Sequence, residues 1–77
     1  MAFTLFITSP RGREYRSLNS PYESREMARS TIRMMLIDSP TSNEETQVFI
    51  ARVLDAPPGE TVTHEATGIS FRTEEAS

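Results

Sequence analysis

From Phe3 to Thr8 the chain alternates, with Phe3, Leu5 and Ile7 on one side and Thr4, Phe6 and Thr8 on the other. A period of two sends successive side chains to opposite faces, so this stretch predicts a strand with one strongly apolar face. Ser9-Pro10-Arg11-Gly12 follows with turn chemistry, proline presetting φ and glycine tolerating positive φ. Glu14 to Leu18 predicts the returning strand of a hairpin, although its alternation is poor.

Farther along, the period changes. Wound at about 100° per residue, Met27, Ala28, Thr31, Ile32, Met34 and Met35 fall within an arc of roughly 160°, which predicts a helix near Pro21–Ile37 with that arc buried. Ser20-Pro21-Tyr22-Glu23 reads as its start, with serine at the N-cap, proline at the first helical position and glutamate at the third, the spacing of a capping box. Asp38-Ser39-Pro40 ends it, because the residue before a proline is pushed out of the α region. Asp38 opposes the dipole at that end and predicts fraying.

Thr41 to Thr46 reads as a polar loop, and Gln47 to Leu54, apolar on both faces except for Arg52, as a strand in the middle of a sheet. Asp55-Ala56-Pro57-Pro58-Gly59 breaks the pattern. Thr61–Ala66 and Gly68–Arg72 predict two short strands around a tight turn at Thr67-Gly68, and Thr73–Ser77 a frayed acidic tail. The sum is one small α+β domain over residues 1–77, ββαβββ, with an antiparallel-rich sheet of four or five strands and one helix on one face. Phe3, Leu5, Ile7, Ala28, Ile32, Met35 and Ile50 are its expected core. One helix covers only one face, so Phe6 and part of the Val48–Val53 set are expected to lie exposed on the other, as a partner site.

Composition adds a reason for self-association. At 77 residues the chain buries only roughly 60–65% of the surface of its unfolded form. With no cysteine and one histidine it has no disulfide and no ordinary zinc site. Association is the remaining staple, which points to a homodimer. No window approaches the roughly 20 apolar residues of a membrane span, and the first residues lack a basic segment before their short apolar run. A cytoplasmic protein with no membrane partner is the expectation.

Charge sharpens the picture further. All eight basic side chains are arginine, and the net charge is −3. Up to Ile37, six arginines face three glutamates, a balance of +3; from Asp38 onward, two arginines face eight acids, a balance of −6. Guanidinium is a planar fork that pairs bidentately with carboxylate or phosphate. Arg25, Arg29 and Arg33 recur every four residues along the expected helix, with Tyr22 at their head. This stripe, aided by Arg11, Arg13 and Arg16, suits an acidic protein surface, or phosphates with a base stacked on the tyrosine. The overall negative charge weighs against nucleic acid, and no helix-turn-helix, zinc-finger, RNP or GxxG pattern is present.

Catalytic chemistry has little to work with. His64 stands in a threonine-rich strand without a recognisable Ser or Asp partner, and the pairs Glu44/Glu45 and Glu74/Glu75 lie on segments expected to be solvated. Gly12, Gly59 and Gly68 form no phosphate-cradling loop, so neither a cofactor nor a metal is expected. The leading expectation is a non-enzymatic interaction or regulatory module acting by protein–protein contact, with nucleic-acid binding through the arginine stripe as the alternative.

Overall fold

In the computed structural model, which describes residues 2–18 and 20–76, the alternating stretch forms strand β1 (Ala2–Thr8). It turns back through Gly12, at φ 91°, into β2 (Glu14–Arg16), which sets Ile7 opposite Tyr15 and Phe6 opposite Arg16. The last third supplies β3 (Thr61–His64) and β4 (Ile69–Ala76), joined by a tight turn that ends at Gly68, φ 78°. β4 lies between β1 and β3 and is antiparallel to both, giving the order β2-β1-β4-β3. The expected frayed tail is instead the end of this central strand as far as Ala76, while Ser77 lies outside the described residues. Pairing with β1 orders it: Thr73 is buried opposite Leu5, and its carbonyl accepts the Gly59 N–H at 2.7 Å.

The expected strand at Gln47–Leu54 is a helix. α2 (Asn43–Asp55) starts within the expected loop, at a reciprocal cap in which the Glu45 N–H donates to Ser42 Oγ and the Ser42 N–H donates to Glu45 Oε1, at 3.1 and 3.3 Å. Its buried residues are Thr46, Phe49, Ile50, Val53 and Leu54, spaced three and four apart, while Val48 faces solvent. Every other apolar residue of the run also fits a strand, and helical length with a capped start decides against that reading.

The expected helix at Pro21–Ile37 is shorter and starts later. A 3₁₀ turn (Arg25–Ala28) leads into α1 (Arg29–Met35), and Leu36 caps it just ahead of Asp38-Ser39-Pro40. Ser20 is not a helix cap: its Oγ accepts the Leu5 N–H at 3.0 Å, and the Ser20–Pro21 bond is cis. Tyr22 continues the sheet, exchanging two backbone hydrogen bonds of 2.7 Å with Phe3. Sheet pairing thus claims the backbone that the false capping box would have given to a helix. The buried line of the helix is Ala28, Ile32 and Leu36, with Met35 partly buried; Met27 and Met34 point outward. A 3₁₀ turn winds at about three residues per turn, which breaks the phase assumed for one continuous α-helix.

The architecture is therefore a small α+β domain, ββααββ, with a four-stranded antiparallel sheet and two α-helices on one face. Leu5, Ile7, Val62 and Phe71 of the sheet meet Ala28, Ile32, Leu36, Phe49, Ile50 and Val53 of the helical layer. Of the expected core, Phe3 and Met35 are only partly buried. The opposite face is not the exposed apolar surface expected from one-helix coverage. It carries Thr4, Thr8, Thr61, Thr63 and Ser70 around Phe6, which is half-buried beneath the Arg72 guanidinium at 4.4 Å. Among the described residues no helix is long and apolar enough to cross a membrane.

Candidate interaction surface

The arginines expected to act together have three separate environments on the helical side. Arg25 lies over the Phe3 ring, its guanidinium carbon 5.8 Å from the ring centre, and its buried Nε and Nη2 have no hydrogen-bond partner. Arg29 is held by Glu26, with 2.6 Å between Nε and Oε1. That hydrogen bond, with the opposite charge behind it, raises the Arg29 pKa and lowers that of Glu26 below its ordinary value. Arg33 is exposed and borders a 240 Å³ cleft with Leu36, Ile37 and Thr46.

Tyr22 is not an aromatic head for this stripe. It is 7% exposed, and its hydroxyl lies 2.9 Å from Ser17 Oγ and 2.7 Å from Thr31 Oγ1. A ring so enclosed offers no face for a base to stack on. Arg11 and Arg13 sit in and just after the β1–β2 turn, while Arg16 pairs across from Phe6 and so shares the outer face of the sheet. The helical arginines and Arg16 thus lie in different layers. Phe6, with Arg16 and Arg72 opposite it on its two neighbouring strands, belongs to a charged face; Arg72 also reaches Glu14 at 2.7 Å and Glu74 at 2.6 Å.

Exposed apolar surface appears elsewhere. Of the six large hydrophobic side chains exposed among the described residues, five are Tyr15, Leu18, Met27, Met34 and Ile37; the sixth is Val48 on α2. Tyr15 and Leu18 line a mainly apolar 240 Å³ cleft between β2 and α1, together with Ile7, Ser17, Thr31 and Met35. Leu18 is fully exposed beyond the end of β2, next to Ser17, whose N–H donates to the Leu5 carbonyl, while the Leu5 N–H donates to Ser20 Oγ. Sequence periodicity places Met27 and Met34 in the buried arc and gives no sign of Tyr15 and Leu18, whereas all four are exposed. The weak alternation of Glu14–Leu18 was the available sign of an edge strand.

His64 is a structural residue of the other side. It is 4% exposed, with Nδ1 2.9 Å from Thr67 Oγ1, Nε2 3.5 Å from Thr41 Oγ1, and its ring edge-on to Phe49. The Thr41 hydroxyl also lies 2.6 Å from Ser39 Oγ and 3.1 Å from Thr46 Oγ1, so the network ties the α1–α2 loop to the β3–β4 turn. A 530 Å³ cleft beside it is lined by Glu45, Phe49, Arg52, Thr63 and Glu65. No protein-family model, curated protein or solved structure matches the chain.

Proposed function

We propose that the protein is a non-enzymatic interaction module that works by protein–protein contact through the β2–α1 side. The observation that carries this reading is the mainly apolar cleft between β2 and α1, where exposed Tyr15 and Leu18 meet Thr31 and Met35, with Met27 and Met34 also exposed on the adjoining helical segment. Methionines on a solvent-facing helix stripe adapt to a partner's shape, and apolar surface rimmed by charge is the usual composition of a contact patch. The partner is a folded protein with an apolar contact face and charges opposite to those it meets on this side. Enclosure of Tyr22 leaves the nucleic-acid alternative without its stacking platform.

A tagged pull-down from the source cell, with and without nuclease, tests the reading with the wild type and Met34→Asp. The expected result is a stoichiometric protein partner, another copy of this chain included, that survives nuclease and is lost with the variant. Recovery of nucleic acid alone overturns it.

A further inference from the structure

The free edge of β2 has a geometry that selects one partner. Ser9 donates to the Arg13 carbonyl and Ser17 to the Leu5 carbonyl, at 2.8 and 2.9 Å, in the register that sets Ile7 opposite Tyr15. Hydrogen-bonded pairs alternate along an antiparallel ladder, so Tyr15 spends its backbone groups on Ile7. The N–H and carbonyl groups of Glu14 and Arg16 therefore point away from the sheet. An edge of this kind is a template for one more strand.

We propose that a second copy of this chain supplies that strand, its β2 pairing antiparallel with the first across a twofold axis through Tyr15. In this register Glu14 of each copy faces Arg16 of the other, and the two pairs exchange four backbone hydrogen bonds. Both side chains lie on the outer face, because they flank Tyr15 in a strand and Arg16 pairs with Phe6. Each backbone pair thus coincides with an opposite-charge side-chain pair, in which Glu14 is shared between Arg16 of the other copy and Arg72 of its own at 2.7 Å. The neighbouring twofold registers fail on charge: centring on Glu14 opposes two glutamates, and centring on Arg16 opposes two arginines. Registers shifted by one residue set the outward groups of one copy against inward groups of the other.

The inner face completes the fit. The two Tyr15 side chains meet as a close, non-hydrogen-bonded pair, and each has beside it the apolar cleft of Leu18, Thr31 and Met35. The opposite edge of the sheet lacks these features. The inward side chains of β3, Val62 and His64, are already buried, and its outward ones are threonines without charge. The result is a closed, isologous dimer with one continuous eight-stranded sheet.

This inference deepens the protein-contact reading by naming the partner, and sedimentation velocity from low to high micromolar concentration tests it. Wild type is expected to pass from monomer to dimer. Arg16→Glu sets glutamate against Glu14, and Glu14→Arg sets arginine against Arg16; each is expected to weaken the dimer on the order of tenfold or more. The double variant E14R/R16E restores opposite charges in the same register and is expected to recover dimerisation. Circular dichroism on each variant establishes that it is folded. A wild type that stays monomeric, or folded single variants that dimerise like wild type, overturns the inference. So does a double variant no better than the singles. If the dimer fails while the pull-down still recovers a different protein that depends on Met34, only the identity of the partner falls.

Discussion

On one flank of the helical layer, α2 begins with a reciprocal cap and runs for 13 residues, with five of them buried. On the other, α1 runs for 7, follows a 3₁₀ turn without a side-chain cap, and buries Ile32 alone within its length. The α2 side also holds the aromatic contacts of Phe49 with His64 and Phe71, at 4.8 and 5.8 Å. The α1 side has Met27 and Met34 in solvent and an adjoining three-residue edge strand. Local order signals and dense packing coincide on one side, and exposed apolar surface is left over on the other. A small domain has little apolar area to distribute, and this chain concentrates it so that one flank holds the fold and the other stays available.

The widest contrast comes from truncating one side chain on each side. Phe71 is fully buried, and Phe71→Ala is expected to cost about 3–5 kcal/mol, enough to leave a domain of this size largely unfolded. Met34→Ala removes an exposed side chain and is expected to shift stability by under about 0.5 kcal/mol. Urea denaturation of both variants measures the difference, and comparable losses would break the contrast between the two sides.

A smaller effect tests the cap. Ser42→Ala removes the acceptor for the Glu45 N–H and is expected to cost about 1 kcal/mol. Hydrogen exchange should then rise in the first turn of α2, while protection of α1 stays as it was. Equal loosening of both helices would show that the cap belongs to the whole layer instead of to α2.

The smallest effect is electrostatic and lies on the α1 side. The hydrogen bond from Arg29, and then its charge, holds the Glu26 carboxyl below its ordinary 4.5. A lowered carboxylate pKa adds stability that is complete above the unfolded value and is lost as pH falls through the folded one. Glu26→Gln is therefore expected to remove a shallow acid-side slope and to leave the neutral-pH midpoint almost unchanged, because the pair is exposed. Urea midpoints at neutral pH and below the carboxylate range read this directly. An unchanged slope would remove the pair from the account of acid sensitivity.

Much of the sheet was legible in the sequence. β1 shows strict alternation, and Gly68 marks the turn between β3 and β4, so β1, β3 and the first half of β4 follow from periods and breakers, while Thr73–Ala76 reads as a tail because its order comes from pairing with β1. The helical layer was harder to read for a definite reason. Val48-Phe49-Ile50-Ala51 satisfies both periods at once, and the deciding sign lay upstream, at Ser42 and Glu45. The opposite error came from Ser20 and Glu23, which have capping-box spacing while the backbone between them pairs with β1. Of the candidate site, the arginine positions were visible and their separation into layers was not. That separation depends on Arg16 pairing with Phe6 and on Tyr22 turning inward to Ser17 and Thr31, contacts between distant segments that no local pattern encodes.

The two central strands, β1 and β4, come from opposite ends of the described chain, with Ala2 beside Ala76 and Leu5 beside Thr73. Zipping them together closes a loop that contains every other element, so its entropy is spent before any contact across the ladder repays it. The helices and the β3–β4 hairpin are local, and such elements form on the microsecond scale, so the middle of the sheet is expected to assemble last. During synthesis β1, with Leu5 and Ile7, has no β4 to pair with until β4 has left the ribosome. A chain stalled after β3 would hold β1 with one edge bare, at the position where the finished molecule is most fully enclosed.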